Sequence, residues 1–454
     1  MLCCPGATPL QQALQQMHER RVGSVVVVDG DAGLRGILTR HDILFRVTLQ
    51  QLDLQTPLAL VMSTPVHCLD SDDRLQDAAL PMARYGVRHV PVLRAGRVVN
   101  IVSERDLFAL QRLSIRELSE GLRAAPDALA LQPLAARIRQ FAGQLLVQGV
   151  QARQLTEITS RLNDLLCTRL VELTAARRGL DLARVCWLSF GSEGRGEQTV
   201  ATDQDNGIAF DSSTPNQYRC AWLALGVEVN AELDACGYPL CRGGVRAGNA
   251  ACCLSLAEWQ ARFAHWVEQG APEDLLKASI HFDLRALCGN AALLRPLRDW
   301  LATRPVAMPR FIKQMADNAL QRTPPLTWRG ALATREEGGH AWLDLKLQGT
   351  ALFVDAARLY ALAHGRSAVG TRGRFEAAAP CLGVRPQEGQ AWITAFKFLR
   401  MLRLQAQLGL HGAGASAPNT IDVQALNDID RRMLKEAMRT ARNLQQRIAL
   451  DYRR

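Results

Sequence analysis

The chain has 454 residues, a formal net charge of +10 and a hydrophobic content of 48%. This length predicts roughly three domains of ordinary size, and the lack of any run of about 18 apolar residues excludes a membrane-spanning helix. The opening residues, Met1-Leu2-Cys3-Cys4-Pro5, lack the basic and apolar regions of a secretory signal. We therefore expect a cytoplasmic protein that has no membrane partner.

The positive charge does not by itself indicate a nucleic-acid partner. Lysine occurs only at positions 277, 313, 346, 397 and 435, so nearly all basic residues are arginines. The arginines are spread over the whole chain and form no run interleaved with aromatic residues, which disfavours a nucleic-acid-binding face. No C-x-x-C pair occurs among the 12 cysteines, so neither a zinc ribbon nor a redox dithiol is indicated.

An internal repeat occupies residues 1–110. An apolar segment at 21–29 leads to Thr39 and Asp42, and a similar segment at 86–93 leads to Ser103 and Asp106. The two aspartates are 64 residues apart, and self-similarity at a fixed spacing predicts two copies of one structural unit. Each copy is predicted to run helix, strand, turn, strand, and then a helix whose N-cap is the Thr or Ser.

This repeat resembles the CBS-domain pair, a regulatory module that binds adenine nucleotides or related ligands between its two halves. The resemblance implies that Thr39 and Asp42, together with Ser103 and Asp106, hold the ribose of such a ligand. Helix capping alone would require the same residue types, so both interpretations stay open.

Three features depart from the CBS pattern. The first copy begins abruptly, which leaves open whether its opening strand is missing. Asn100 stands where a small glycine is usual. Pro81 falls inside the helix predicted at 75–85, where proline costs about 3 kcal/mol unless the helix kinks or starts there.

A helical segment follows the repeat. Between residues 113 and 180 the apolar residues recur at three- and four-residue intervals, as in the run Leu134, Ile138, Phe141 and Leu145. No Gly- or Ser-rich linker separates this segment from the repeat. We predict a helical connector at 111–182.

The most informative segment combines a strand, a turn and an acid pair. The apolar run 185–190 precedes a Gly-Ser turn at 191–197, and Asp203 and Asp205 follow on an extended segment. Alternate residues of such a segment share a face, so the two carboxylates point the same way and repel unless a cation lies between them.

This combination predicts a nucleotidyl-transfer site. Mg²⁺ suits a carboxylate pair that also meets substrate phosphates, and a glycine turn lets the backbone approach phosphates with free N–H groups. The alternative is a surface Asx turn with two solvated acids.

Asp283 is the candidate for a third acid. After a helix at 220–236, a glycine-rich loop at 237–247 and a helix at 256–269, residues 278–287 are predicted to form a strand on which Asp283 points inward. Two-metal phosphoryl transfer uses such an acid near the attacking oxygen. The alternative is a structural pair with Arg285 or a helix-capping role.

The rest of the chain is predicted to be helical. Apolar residues recur at helical intervals over 344–363, 386–409 and 423–452. A glycine and proline cluster at 412–418 separates the last two of these segments.

The segment 191–206 resembles the nucleotidyltransferase-like domain related to protein-PII uridylyltransferase and the glutamine-synthetase adenylyltransferases, within the DNA polymerase β superfamily. The matches to this superfamily are Gly191, Ser192, Gly194, Arg195, Glu197, Asp203, Asp205 and Asp283-Leu284-Arg285. Further residues match the CBS-containing nucleotidyltransferase family and its partner domain: Tyr238-Pro239, Gly243-Gly244-Val245, Asp344-Leu345-Lys346, Arg358, Arg400, Arg403 and Pro418-Asn419. Gly207 and the sequence at 249–253 depart from the family pattern.

The resemblance implies a role for each matching residue of the site. Asp203 and Asp205 would bind two Mg²⁺ ions, and Asp283 would complete the metal site and help activate the acceptor. The residues that would bind the nucleotide phosphates are Gly191, Ser192, Gly194 and Arg195.

We expect a multidomain α+β protein. Its predicted parts are a CBS-domain pair at 1–110, the connector at 111–182, a polymerase-β-like nucleotidyltransferase α/β domain at 183–325 and an all-helical C-terminal domain at 326–454. The predicted function is CBS-regulated, Mg²⁺-dependent transfer of UMP or AMP from an NTP to a hydroxyl acceptor. By resemblance, that acceptor is a protein tyrosine.

Two alternatives and one further expectation accompany this prediction. The main alternative is a non-catalytic adenine-nucleotide sensor that keeps a transferase-like fold, and an enzyme directed at nucleic acid ranks last. By resemblance to other CBS pairs, we also expect a homodimer formed through this module.

Overall fold

The structure is a computed structural model that describes residues 1–30, 33–211, 215–271, 274–275, 278–409 and 419–452. It divides into two compact units. The first comprises Met1–Glu117 and Val147–Gly149, and the second comprises Leu118–Leu146 and Val150–Arg454. Within the described residues, no helix is both long enough and apolar enough to cross a membrane.

The first unit contains two three-stranded sheets of the same design. In each sheet the first and second strands are parallel and the second and third are antiparallel. The strands are β1 Cys3–Pro5, β2 Ser24–Val28, β3 Leu34–Thr39, β4 Leu69–Asp70, β5 His89–Arg94 and β6 Arg97–Ser103. The matching topology confirms the predicted repeat, and each copy has its own hydrophobic core.

Two local features of the repeat differ from the sequence-based expectation. The first copy does have its opening strand, because Cys3–Pro5 pairs in parallel with β2. Pro81 does not interrupt a helix: residues 75–78 form a 3₁₀ turn, and the α-helix Ala79–Tyr85 begins after it. Proline is tolerated there because N–H groups of the first turn have no partner within the helix.

Helices dominate the segment that follows the repeat, as predicted. The repeat itself contains the helices α1 Leu10–Glu19 and α2 Ala79–Tyr85. The helices between the repeat and the central sheet are α3 Glu104–Ala124, α4 Ala128–Val147 and α5 Ala152–Arg177. Helix α5 buries Leu155, Leu162, Leu166 and Leu170, a stripe with helical spacing.

A four-stranded mixed sheet carries the acid pair. Its strands are β7 Val185–Ser189, β8 Asn206–Phe210, β9 Cys253–Ser255 and β10 Arg285–Gly289, in the spatial order β10-β7-β8-β9. Every residue of β7 and β8 is buried, which explains their nearly continuous apolar sequences. A one-turn helix, α6 Gly191–Gly194, follows β7, and α7 Pro215–Ala235 and α8 Leu256–Glu268 complete this region.

The predicted strand at 278–287 is only partly correct. Residues 279–282 form a 3₁₀ turn, and the strand β10 starts at Arg285. Asp283 therefore lies before the strand, at a bend with φ −94° and ψ 52°.

The C-terminal region is mostly helical but not all-helical. Its helices are α9 Arg295–Thr303, α10 Pro309–Gln321, α11 Ala351–Ala363, α12 Thr371–Ala378, α13 Pro386–Gln407 and α14 Asp428–Tyr452. It also has an antiparallel sheet of β11 Arg335–Glu337, β12 His340–Asp344 and β13 Thr420–Asp422. Strands of three to five residues leave little periodic signal in a sequence. The predicted break at 412–418, which includes Pro418, lies outside the described residues.

One hydrophobic core joins the central sheet to the C-terminal helices. The cluster runs from Leu188 and Phe190 of the β7 region through Phe353 of α11 to Leu444 of α14. The protein is thus a multidomain α+β protein, and this shared core holds the acid pair and the C-terminal helices in one compact unit.

Candidate functional site

The turn after β7 is shaped by two glycines that allow close backbone contacts. Gly191 has φ +52°, and a Cβ atom there would lie 2.7 Å from Oδ2 of Asp205. A Cβ atom on Gly194 would lie 1.7 Å from the carbonyl oxygen of Asp283. The amide of Phe190 donates to the carbonyl of Asp205 over 2.8 Å. The turn is therefore packed directly against both acidic segments.

Asp203 and Asp205 lie in the extended segment that leads into β8. Together with Cys241 of the glycine-rich loop, they place three potential ligand atoms within 4.8 Å of one another. Asp203 is half-buried, and Asp205 is only 5% exposed. The acid pair predicted from the sequence is thus accompanied by a thiol that the sequence reasoning did not single out.

The carboxylate of Asp205 has one oxygen that lacks a hydrogen-bond partner. Its Oδ1 is buried and has no hydrogen-bond partner among the described residues, and the Cys241 thiol lies within 4.8 Å of the same carboxyl group. Burial, followed by the charge of Asp203, raises the pKa of Asp205 to about 7. A divalent cation bound by the two aspartates would satisfy the buried oxygen and offset the repulsion, so the residues present fit Mg²⁺.

A second buried acid lies beside this pair. Glu193 of α6 is 7% exposed, and its carboxyl group bonds to the backbone of Asp205. Burial, and then the charges of Asp205 and Asp164, raise the pKa of Glu193 well above its ordinary value. Burial and the neighbouring acids therefore disfavour the charged form of Glu193 beside the acid pair.

Asp283 has arginine partners that the acid pair does not share. It is fully buried, and Arg358 donates to both of its oxygens, with Nε 2.9 Å from Oδ1 and Nη2 2.7 Å from Oδ2. Arg374 donates to Oδ1, and Arg195 donates to Oδ2. Although burial acts to raise it, these arginine charges hold the pKa of Asp283 well below its usual range.

This arrangement corrects the expected third-acid role. The two oxygens of Asp283 accept bonds from three guanidinium groups, which leave little acceptor capacity and repel a metal cation. Its expected partner Arg285 instead forms a two-bond ion pair with Asp164, at 2.9 and 2.8 Å. Asp283 is an ion-pair centre between the turn and the C-terminal helices.

Arg195 and Glu197 of the turn are engaged by protein partners rather than facing solvent. Nε of Arg195 lies 2.8 Å from Glu197, and another nitrogen of the same group bonds to Asp283. Glu197 in turn accepts a 2.7 Å bond from the amide of Thr371 and a 2.9 Å bond from its hydroxyl. The structure therefore does not offer Arg195 as a free phosphate ligand, although its charge still lowers the pKa of Asp205.

Two cations from the C-terminal region act on the acid pair. The charge of Lys346 lowers the pKa of Asp205, and the charge of Asp203 raises the pKa of Arg403. Burial, followed by the charges of Arg195 and Arg400, nevertheless brings the pKa of Arg403 down to about 10. Nε of Arg400 is buried and finds no hydrogen-bond partner in the part of the chain that is described. This concentration of cations, incompletely neutralised, favours an anionic ligand beside the acid pair.

Ser192 faces the same segment from the turn. Its hydroxyl is 3.3 Å from the hydroxyl of Thr202, immediately before Asp203. Gly191, Ser192 and the acid pair are thus brought together, whereas Gly194 lies against Asp283.

The two CBS half-sites are built alike but differ in exposure. In the first copy Oδ2 of Asp42 accepts bonds from the amide and hydroxyl of Thr39, while Oδ1 accepts one from Ser63 at 2.9 Å. In the second copy Oδ2 of Asp106 accepts the same two bonds from Ser103, at 2.8 and 2.6 Å. Asp42 is 8% exposed, but Asp106 is in the exposed class. Thr39 and Asp42 form a capping box, and the aspartate of the second copy is the more exposed one.

Family models match most of the chain. "Putative nucleotidyltransferase DUF294" matches residues 136–273, "Putative nucleotidyltransferase substrate binding domain" matches 309–452, and the CBS domain matches 1–48 and 59–112. The chain belongs to the CBS-domain-containing DUF294 nucleotidyltransferase family.

Curated relatives of this DUF294 protein cover a smaller part of it. The CBS domain-containing protein YhcV of Bacillus subtilis is 37% identical over 102 residues, which are 22% of this chain and 72% of that protein. Hypoxic response protein 1 of Mycobacterium tuberculosis is 31% identical over 99 residues, 22% of this chain and 69% of that protein. The chain spans only 19% of CBSCBSPB5 of Arabidopsis thaliana, with 38% identity over 103 residues.

Solved structures give similar partial matches. The CBS domain protein PAE2072 from Pyrobaculum aerophilum, complexed with AMP, is 28% identical, covers 23% of this chain and 82% of its own, and has a TM-score of 0.22. The CBS domain structure NE2398 is 26% identical, covers 24% of this chain and 85% of its own, and has a TM-score of 0.23.

Several site residues of the DUF294 protein were not assigned a role from the sequence alone. Lys346, Arg400 and Arg403 stood out only as matches to the family, and their helical region gave no sign of facing the acids. Cys241 lies 36 residues after Asp205, in a loop without periodicity. The Gly-Gly pair at 243–244 is the one sequence signal that marks this loop as closely packed.

Proposed function

We propose that this protein is a Mg²⁺-dependent nucleotidyltransferase that moves UMP or AMP from an NTP to a hydroxyl acceptor. The observation that carries this proposal is the buried, unpartnered Oδ1 of Asp205 beside Asp203, with Lys346 and Arg403 acting on the same pair. A metal–triphosphate site needs carboxylates that bind the metal ion and basic side chains that bind the phosphates.

Each group has a defined task in this proposal. Asp203 and Asp205 would hold Mg²⁺, which when bound supplies positive charge to the triphosphate. Arg400 and Arg403 would bind phosphate oxygens, as arginine does well. Gly191 allows the turn to lie against the Asp205 carboxylate, so the turn backbone can approach the nucleotide closely.

The reaction is a displacement at the α-phosphorus. The acceptor oxygen forms a bond to this phosphorus while the bond to the bridging oxygen breaks, so pyrophosphate leaves and the acceptor proton passes to solvent. The ion pairs of Asp283 would keep the turn and the C-terminal helices in a fixed relation during this step. The resemblance to protein-PII uridylyltransferase suggests a protein tyrosine as the acceptor.

The test is transfer of label from the α-phosphate. The full chain is incubated with labelled ATP, UTP, GTP or CTP, Mg²⁺ and a host-cell extract, and labelled macromolecules are separated by electrophoresis. We expect transfer with one nucleotide, and loss of at least about 1,000-fold in Asp203→Asn and Asp205→Asn, since metal-assisted charge stabilisation contributes several kcal/mol. Asp211→Asn, which changes an exposed acid directly after strand β8, should retain full transfer. Undiminished transfer in the first two variants would overturn the proposal.

The CBS pair is proposed to bind an adenine nucleotide that regulates the transferase. Asp106 is exposed and already oriented by Ser103, so its carboxylate can accept bonds from a ribose diol. The non-catalytic sensor is the competing function, and tight nucleotide binding without label transfer under all conditions would favour it. The homodimer and the cytoplasmic location remain predictions.

A further inference from the structure

Cys241 places sulfur at a site otherwise suited to a hard cation. The residue is 8% exposed and lies in the glycine-rich loop, where its carbonyl accepts a 3.0 Å bond from the amide of Gly244. Its sulfur belongs to the only group of three potential metal-ligating side chains within 4.8 Å among the described residues. The other two members are Asp203 and Asp205.

The three ligand atoms have the composition of a zinc-type site. Mg²⁺ takes oxygen ligands in near-octahedral geometry, whereas thiolate ligands select softer cations such as Zn²⁺. Catalytic zinc sites use three protein ligands drawn from Cys, His and carboxylates and keep a fourth position open. Two aspartates and one cysteine reproduce that number and that mixture.

A second observation is that one buried oxygen of this group has no partner. Oδ1 of Asp205 is buried, and none of the described residues hydrogen-bonds to it. Leaving such an oxygen unpaired in a dry environment is costly. Asp203 is half-buried and is the most exposed member of the group.

We propose that Asp203, Asp205 and Cys241 bind a thiophilic divalent cation, of the Zn²⁺ and Co²⁺ class, in competition with Mg²⁺. Binding forms a metal–sulfur bond and releases the thiol proton to solvent. The proposal rests on the proposed function only in taking the two aspartates as the site of the catalytic Mg²⁺. It adds that micromolar Zn²⁺ would occupy this position and block transfer.

Cobalt absorption tests the proposal without any nucleotide. The reduced, full-length protein is titrated with Co²⁺, and the thiolate-to-cobalt charge-transfer band in the near ultraviolet is recorded. We expect one equivalent of Co²⁺ to give the band and Zn²⁺ to remove it. Loss of a metal's outer-shell support alone costs about 10–100-fold in affinity, so Cys241→Ser should weaken binding by at least about 100-fold and abolish the band.

Cys252→Ser is the matched control. Cys252 is also buried and also contacts the glycine-rich loop, through the carbonyl of Gly244, but it is not part of the three-ligand group. Its variant should keep the band, and Asp203→Asn should reduce Co²⁺ affinity while leaving the circular dichroism spectrum unchanged. A band that persists in Cys241→Ser, or no saturable band in the wild type, would overturn the proposal.

The outcome is separable from that of the proposed function. Cobalt binding through Cys241 together with no label transfer from any NTP would contradict the transferase and leave the metal site standing. Label transfer with Mg²⁺ but no cobalt–sulfur band would support the transferase and contradict the metal site.

Discussion

Asp283 shows how one buried charge can be kept in a protein interior. Desolvation of a carboxylate is expensive, and it is offset here by three arginines whose own charges are partly balanced by other acids. Arg195 also pairs with Glu197, and Arg358 also pairs with Asp355 at 2.7 Å. Asp355 also pairs with Arg322 at 3.0 Å, so the network joins three acids to four arginines.

Replacing this carboxylate should destabilise the second unit. Asp283→Asn leaves buried guanidinium groups without a counter-charge, and breaking one side of a buried pair costs about 3–5 kcal/mol. Urea unfolding followed by tryptophan fluorescence measures the loss. Asp234→Asn, an exposed aspartate of α7, should change stability by less than about 0.5 kcal/mol.

The ion pairs of Asp283 also predict that the stability of the protein depends on pH. Because the folded-state pKa of Asp283 lies well below its usual range, its contribution is fully present above the unfolded pKa near 4 and is lost as the pH falls further. The stability difference between wild type and Asp283→Asn should therefore be constant from pH 5 to 8 and shrink below pH 4. A difference that grows on acidification would contradict this assignment.

Position 194 has no room for a side chain larger than that of glycine. A Cβ atom there would overlap the backbone carbonyl of Asp283 at 1.7 Å, and backbone cannot yield as a flexible side chain can. We expect Gly194→Ala to destabilise the protein by at least about 3 kcal/mol. Gly373→Ala in α12, where the nearest atom would be 3.6 Å away, should be neutral or stabilise by up to about 1 kcal/mol. Equal thermal unfolding temperatures for the two variants would contradict this reading of the turn.

At the scale of elements, the turn after β7 and helix α12 form one unit of structure. Glu197 caps the N-terminus of α12 through Thr371, where a negative charge also suits the helix dipole. Arg374, one turn along the same helix, returns to Asp283 and to the carbonyl of Phe282. The Arg-x-Glu of the turn therefore serves the junction with the C-terminal helices.

Loss of this cap should loosen α12 selectively. Glu197→Gln removes the charge and half of the acceptor capacity, at a cost of about 1–3 kcal/mol. Amide hydrogen exchange at 371–375 should become faster. Glu376→Gln, on the exposed part of the same helix where it pairs with Arg372, should leave those rates unchanged. Identical protection in both variants would show that the cap is not needed.

At the scale of the whole molecule, nucleotide sites are proposed in both units. The first unit has a separate core for each CBS copy, and the second has one core that joins the sheet to the C-terminal helices. This organisation suits a chain that senses one nucleotide and uses another. It also makes the two sites separable by mutation.

Nucleotide titration should reveal the two sites. By isothermal titration calorimetry, Asp106→Ala should weaken AMP binding by about tenfold or more, since hydrogen bonds to a charged group contribute about 1.5–3 kcal/mol. Asp205→Asn should leave AMP binding intact and remove Mg²⁺-dependent NTP binding. Asp72→Ala, an exposed acid of the first unit, is the control. Loss of AMP binding in Asp205→Asn instead would move the AMP site to the second unit.

Local patterns in the sequence determined the repeat, most helices, the strand–turn–acid segment and the proximity of Asp203 and Asp205. These features follow from residues near each other in the chain, because strand alternation and helical periodicity are local. The tertiary structure alone decided the partners of Asp283, since Arg358 and Arg374 lie 75 and 91 residues away. It also decided that Cys241, Lys346 and Arg403 join the acid pair, because packing of the loop and the C-terminal helices, rather than any spacing in the chain, brings those side chains to one place.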